Sequence, residues 1–224
     1  MPKVQQSRGF LLLFVIFLII AITAIFLVFY LQTDSVTEIL KNDKLINILF
    51  VLEDSGDVLT TQILMYYPVA KRTAMFDIPG NTGAIYSSLN RVDRIDAVYK
   101  EKGIKTYTEE IQKLTGVQIP FTIVISQTNF ATVTDFLGGL KVFIPSPVEV
   151  RLDDTLYLLP SGSVNLDGDK IKSFLNYKTT YETDGSQEER RQAAVLAFIS
   201  ALNKKSPQIL NDINFKHLKS LFST

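Results

Sequence analysis

The feature that most constrains this chain is an uncharged run near its N-terminus. From Phe10 to Leu31 the sequence reads FLLLFVIFLIIAITAIFLVFYL, with Thr23 and Tyr30 as its polar groups. At 1.5 Å per residue such a helix is about 33 Å long, enough to cross a hydrocarbon core of about 30 Å. A buried soluble helix is rarely apolar on every face for six turns, so the run is expected to be a transmembrane anchor. A cleaved signal peptide has a shorter apolar stretch ending in small residues, whereas this one ends in Phe-Leu-Val-Phe-Tyr-Leu. Lys3 and Arg8 precede the run, and Asp34 and Glu38 follow it before the first cation, Lys41. The positive-inside bias then places residues 1–9 in the cytoplasm and the body outside the cell membrane, in a single pass.

The body excludes several chemistries. Lys3 and Arg8 are the only charges before Gln32, so 21 Lys+Arg and 23 Asp+Glu remain for the other 193 residues. That near-neutral balance argues against nucleic acid as a partner, because nucleic-acid binding calls for a basic patch that releases counterions. With no cysteine and a single histidine, His217, the chain has no disulfide framework, no Cys-based zinc site and poor material for a serine triad.

Hydrophobic patterning organises residues 46–224 as one domain, joined to the anchor by a 32–45 linker in which Ser35-Val-Thr-Glu38 has capping-box spacing. Asn47–Leu52 is a continuous apolar run of strand length, as expected of a strand buried on both faces. Thr60–Tyr67 and Arg72–Ile78 read as strands joined at Pro68. Helices are expected from near Val92 and from near Thr106, with Thr106-Tyr-Thr-Glu109 as a capping box and Gly116 as a stop. Phe121–Ser126 reads as a strand, Asn129–Leu137 as a helix closed by Gly138-Gly139, Lys141–Ile144 as a strand and Val148–Leu159 as a polar hairpin. Asp167–Tyr177 and Gln187–Leu202 look helical, and Ser206-Pro207 supplies an N-cap and first-turn proline for a last helix ending near Phe222. Alternating strands and helices predict an α/β fold with helices on both sides of a mixed sheet.

Several segments together resemble the extracytoplasmic domain of the LytR–CpsA–Psr family. They are NILFVLEDS (47–55), RTAMFDIPGNT (72–82), DRIDAVY (93–99), GVQIPFTIVISQTNFATVTDFLGGL (116–140), Leu166–Gly168 and Glu189–Gln192. The resemblance implies a three-layer α/β/α fold with a mixed central sheet and a groove for a lipid carrier. It also implies transfer of glycopolymers from a polyprenyl-pyrophosphate carrier to peptidoglycan or another envelope acceptor. That chemistry uses Mg²⁺ or Mn²⁺ held by carboxylates, with arginines around the pyrophosphate, whose oxygens a planar guanidinium pairs bidentately.

Carried over residue by residue, the pattern is depleted. Asp54 matches an aspartate after the first strand and is the candidate metal ligand. The next element, an Arg followed by Asp and Thr, falls on Asp57, Leu59 and Thr60. The Ile-Pro-Arg-Asp-Thr motif has become Ile78-Pro79-Gly80-Asn81-Thr82, without its charged pair. A later arginine pair falls on Asn176 and Lys178, and Gln187 stands for another arginine while Arg190 is retained. Arg190 and Arg94 are the candidate catalytic residues, each a solvated surface cation on its bland reading. Lys178, Asp96 and Asp184 are candidate substrate contacts, although Asp184 in Asp184-Gly185-Ser186 also reads as an ordinary turn residue. Arg191, about 100° round the helix from Arg190, is expected to point elsewhere. Arg94 and Asp96, two apart on an expected helix, are not expected to face each other.

Two functions therefore stay open. One is an envelope protein that keeps the fold and binds a lipid-linked glycopolymer, an envelope protein or the wall, with catalysis weakened or lost and no cofactor. The other is an active metal-dependent glycopolymer phosphotransferase. A transcriptional regulator, a third reading, conflicts with the expected topology and the missing basic patch.

Overall fold

A computed structural model describes residues 45–70, 72–152, 155–177 and 184–211. The anchor run 10–31, the 35–38 capping box, Lys178 and His217 lie outside the described residues. Among those described, no helix is long and apolar enough to cross a membrane. Asn47–Tyr66 and the described residues from Thr73 onward form one compact unit, to which the following packing refers.

The apolar run becomes β1 (Ile46–Asp54), followed by β2 (Asp57–Tyr67) and β3 (Arg72–Asp77). With β6 (Phe121–Ser126) they make a four-stranded sheet in the order β3-β2-β1-β6. β1 and β6 are parallel, with Phe50 opposite Ile123 and Leu52 opposite Ile125. β1 is buried on both faces, and alternate residues feed two separate cores. Phe50 and Leu52 pack with Phe130, Ile171, Phe174, Ala194 and Phe198. Leu49 and Val51 pack with Ile95, Val98, Tyr107 and Ile111. Helices therefore cover both faces of a mixed sheet, as the alternating pattern predicts.

The first core holds α2 (Gln127–Leu137), α3 (Gly168–Asn176) and α4 (Asp184–Asn211). α2 begins two residues before the expected start because Ser126 caps it, its hydroxyl accepting from the Asn129 N–H at 3.2 Å. It ends, as expected, on Gly138 in the left-handed region. Asp167 caps α3 by accepting from Lys170 N at 3.0 Å. The second core is closed by α1 (Ile95–Thr115).

The second helical segment, expected from near Thr106, begins just after Gly103, where two helices meet at a kink within α1 and a φ of 76° suits a residue without a Cβ. Two expectations are corrected. Residues 91–94 are not helical: β5 (Arg91–Arg94) pairs antiparallel with β4 (Gly83–Tyr86), and α1 starts only at Ile95. Ser206-Pro207 does not start a helix, because α4 runs through it. Proline has no N–H for the carbonyl of Asn203, four residues back, and the Ser206 hydroxyl donates to that carbonyl instead at 2.8 Å.

The expected 148–159 hairpin is β8 (Val148–Leu152) paired with β9 (Thr155–Leu159). β7 (Leu140–Ile144) pairs antiparallel with β10 (Gly162–Leu166), a strand the patterning does not single out.

The contact of α2 with α3 depends on Gly168. Its N–H donates to Asp135 Oδ1 at 2.7 Å, and a Cβ there would lie 2.6 Å from the Ala131 carbonyl oxygen. Backbone cannot yield as a flexible side chain does, so Gly168→Ala is expected to cost about 1–3 kcal/mol, read as a lower midpoint in urea unfolding.

Candidate functional site

Motif 78–82 follows β3 and folds into a turn. Thr82 N–H and its hydroxyl both donate to the Pro79 carbonyl, at 2.9 and 2.6 Å. The turn is stitched to the start of α1, which has no side-chain cap. Ile95 N donates to Thr82 O at 2.9 Å, and Asp96 N to Gly80 O at 3.1 Å. Two amides that a helix start leaves without intrahelical partners are thus satisfied by the turn. This linkage fixes Arg94 and Asp96 beside Gly80 and Asn81.

These residues line one side of a cleft of about 540 Å³. Val58 and Leu59 at the start of β2 form part of its wall, and Gly185, Gln187, Glu188 and Arg191 from the start of α4 complete it. Segments far apart in sequence, and several positions matched by motif, therefore meet in one place.

The cleft's charges are arranged in pairs. Arg94 is the extended N-cap residue of α1, not a helical residue, and this corrects the expectation that it and Asp96 point apart. Its Nε donates to Asp96 Oδ1 at 3.0 Å and its Nη2 donates to Asp96 Oδ2, a bidentate fork. Arg191 donates from Nη1 to Leu59 O at 2.6 Å and from Nε to Leu175 O at 3.3 Å, and stands 3.6 Å from Glu188 Oε1. It ties β2, α3 and α4 together, and burial pulls its guanidinium below its ordinary pKa. Just behind the turn, Asp77 accepts from the buried Thr60 hydroxyl at 3.4 Å, and burial pushes its carboxyl above the usual carboxylate range.

Other candidate residues are placed elsewhere. Arg190 is buried, with its guanidinium carbon 3.7 Å from the Tyr177 ring centroid, and it donates to the Tyr177 carbonyl. Asp54 is exposed at the end of β1 and accepts from the Ser55 hydroxyl at 3.2 Å. Asp184 is the first residue of α4, so Asp184-Gly185-Ser186 forms a helical turn rather than the expected loop.

Among the described residues no three His, Cys, Asp or Glu side chains converge as a metal site. Asp96 is forked by Arg94 and Glu188 is paired with Arg191, so in this arrangement both carboxylates of the cleft are engaged by guanidiniums.

Sequence reasoning passes over Glu188 and favours Arg190 over Arg191, whereas Arg191 lines the cleft. A signal for α4 exists in its spacing: Gln187, Arg190, Ala194 and Phe198 recur at intervals of three and four and are all buried. That seam puts Arg190 in the interior and leaves Arg191 at its edge. No comparable local signal brings Val58 or Pro79 into the same cleft, because their meeting depends on the sheet.

The LytR_cpsA_psr family model matches residues 34–221. The chain belongs to the LytR–CpsA–Psr family. It is 25% identical over 188 residues to TagU of Bacillus licheniformis, described as a polyisoprenyl-teichoic acid–peptidoglycan teichoic acid transferase. That match covers 82% of this chain and 59% of the relative, so the chain spans less than two thirds of TagU. Among solved structures it resembles B. subtilis TagV, with a TM-score of 0.65, 18% identity, and coverage of 71% of this chain and 65% of TagV. It also resembles TagT bound to LI-WTA, with a TM-score of 0.61, 14% identity, and coverage of 72% and 65%. At these identities the structural matches establish a shared fold.

The two cleft arginines should separate in a stability measurement. Arg191→Ala strips charged donors from two carbonyls and is expected to cost about 2–4 kcal/mol in urea unfolding. Arg94→Ala removes an exposed pair, and about 1 kcal/mol or less is expected.

Proposed function

We propose that this chain is a membrane-anchored cell-envelope protein whose cleft binds a carrier-linked glycopolymer, with phosphate transfer weakened or lost. The single observation that carries this reading is the composition of the cleft. Its walls come in part from the segments that resemble the family's motifs, yet Gly80, Asn81, Leu59 and Gln187 stand at family charged positions, and both guanidiniums are engaged by internal acceptors. Shape for a ligand is present, while charge for a pyrophosphate is low.

The relatives support a choice of partner. TagU is described by its action on polyisoprenyl-linked teichoic acid and peptidoglycan, and TagT has been solved with LI-WTA. For this chain a polyprenyl-phosphate-linked glycopolymer is the corresponding ligand, with an envelope protein as the alternative partner. The three-layer α/β/α description, the Phe10–Leu31 membrane span and the extracytoplasmic position of the body belong to the same proposal. They are supported by the two cores and by the charge asymmetry around the apolar run.

A second reading, an active metal-dependent phosphotransferase, is favoured by the presence of Arg94 and Arg191 on the cleft wall. In that reading Arg190, Asp184 and Lys178 support the substrate phosphates or their surroundings, and Asp54 contributes to an ion. The loss of several charged contacts weighs against it, since one preorganised contact is often worth about 10²–10³ in rate.

The deciding experiment uses the full chain in detergent with a polyprenyl-pyrophosphate-linked glycopolymer and peptidoglycan as acceptor, with Mg²⁺ or Mn²⁺ and with chelator. Binding is followed by calorimetry and transfer by release of polyprenyl phosphate. The expected outcome is binding that does not need metal, without release. Metal-dependent release establishes the second reading, and absence of binding removes both.

The depleted motif gives a separate prediction. Gly80 has no positive φ, and a Cβ there would lie 3.4 Å from Asp96 Oδ2, an ordinary contact. Gly80→Arg is therefore expected to fold and to bind the pyrophosphate carrier about tenfold more tightly, since it adds a guanidinium on the cleft wall.

A further inference from the structure

Resting on the cleft reading above, we infer that Asp96 is a built-in competitor for anions: its carboxylate occupies the Nε/Nη2 fork of Arg94, one of the two that a ligand phosphate could take. A guanidinium presents Nε and Nη2 as two parallel donors, and both carboxylates and phosphates accept them bidentately. Here Nε and Nη2 of Arg94 are both directed to Asp96, one to each oxygen. Asp96 is held in that place independently of the pair, because its backbone N–H donates to Gly80 O at 3.1 Å. The competitor is consequently fixed to the same turn that forms the cleft wall.

The second pair acts in the same sense. Glu188, one turn before Arg191 on α4, stands 3.6 Å from that guanidinium, which also serves two carbonyls. The four charged residues lining the cleft, Arg94, Arg191, Asp96 and Glu188, sum to zero formal charge. A phosphate entering the cleft meets two carboxylates as well as two guanidiniums, and must displace Asp96 to take the Nε/Nη2 fork of Arg94. Uncharged hydroxyl-bearing groups meet no such opposition. The cleft is tuned against phosphate and toward the sugar part of its ligand.

The pair is accessible, with Arg94 60% exposed and Asp96 25% exposed, so the competition is modest in size. Exposed ion pairs contribute at most about 1 kcal/mol, which corresponds to roughly a fivefold change in an equilibrium constant.

The test is calorimetric titration of inorganic pyrophosphate into the full chain in detergent, with chelator present. Asp96→Asn is expected to bind pyrophosphate about two- to fivefold more tightly than the unaltered chain, and Glu188→Gln to shift affinity the same way by less. Glu149→Gln, which removes an equal charge from an exposed position on β8, is expected to leave affinity unchanged. In Asp96→Asn combined with Arg94→Gln the gain is expected to vanish, because it acts through the Arg94 fork. Equal affinities for Asp96→Asn and the unaltered chain overturn the inference, as does a gain that survives loss of Arg94. Should Asp96→Asn not fold, Glu188→Gln decides alone, and an unchanged affinity there overturns it. Binding of the glycopolymer carrier by the unaltered chain is scored separately, so failure of the cleft reading is distinguishable from failure of this one.

Discussion

Strand β1 is the constraint on which the remaining structure depends. Its residues alternate between two cores, Phe50 and Leu52 on one side and Leu49 and Val51 on the other. A strand with two apolar faces is stable only when both are covered, which requires helices on each side and strands along each edge. β2 and β6 supply the edges, α1 covers one face, and α2, α3 and α4 share the other. The cleft is a by-product of that coverage. It opens where β2 starts, where the chain leaves β3, and where α1 and α4 begin, so residues near 58, 80, 95 and 188 meet although no local interaction links them.

The same dependence explains what could be read from the sequence. Elements whose identity is set by their own periodicity or end signals were legible: β1 by its apolar run, β6 by length, and α2 by Gly138 at its end. The misread segments are those where tertiary hydrogen bonds override local signals. Arg91–Arg94 looks like the opening of a helix, but Asp93 and Arg94 pair across to Ala84 and Gly83. Pro207 looks like a helix start, but a serine hydroxyl supplies what the proline lacks. For the candidate site, the motif turn and Arg94 were legible as positions. Their pairing was not, because it turns on whether residue 94 is helical or extended. Arg190 and Arg191 are neighbours in sequence with different surroundings, and only the burial seam of α4 distinguishes them.

Arg191 shows how a cation can be retained for architecture in a place where phosphate chemistry would also want one. It donates to the carbonyls of Leu59 and Leu175, which belong to two different elements, while its own helix supplies Glu188. Removing such a residue takes a charged donor from two partly buried carbonyls, so packing alone would retain it even in a cleft that performs no transfer. Arg94 is engaged locally instead, since its partner Asp96 lies two residues away and is itself held by Gly80. A cation engaged within its own turn is the more informative one about ligands.

A cleft with a weakened pyrophosphate clamp can still be filled in a tethered protein. With the proposed span at residues 10–31, about 14 residues separate the membrane from Leu45, and extended chain covers at most about 3.6 Å per residue. The body is then confined to within roughly 50 Å of the bilayer, where a lipid-linked ligand is confined as well. Short flexible linkers give effective concentrations in the millimolar range. An affinity that would be negligible for two molecules free in solution suffices under that confinement, and Asp96 can lower phosphate affinity several-fold without emptying the cleft. Tethering thus relaxes the demand for charge at the site. On the proposed reading, the fold-bearing walls then matter more than the guanidinium count.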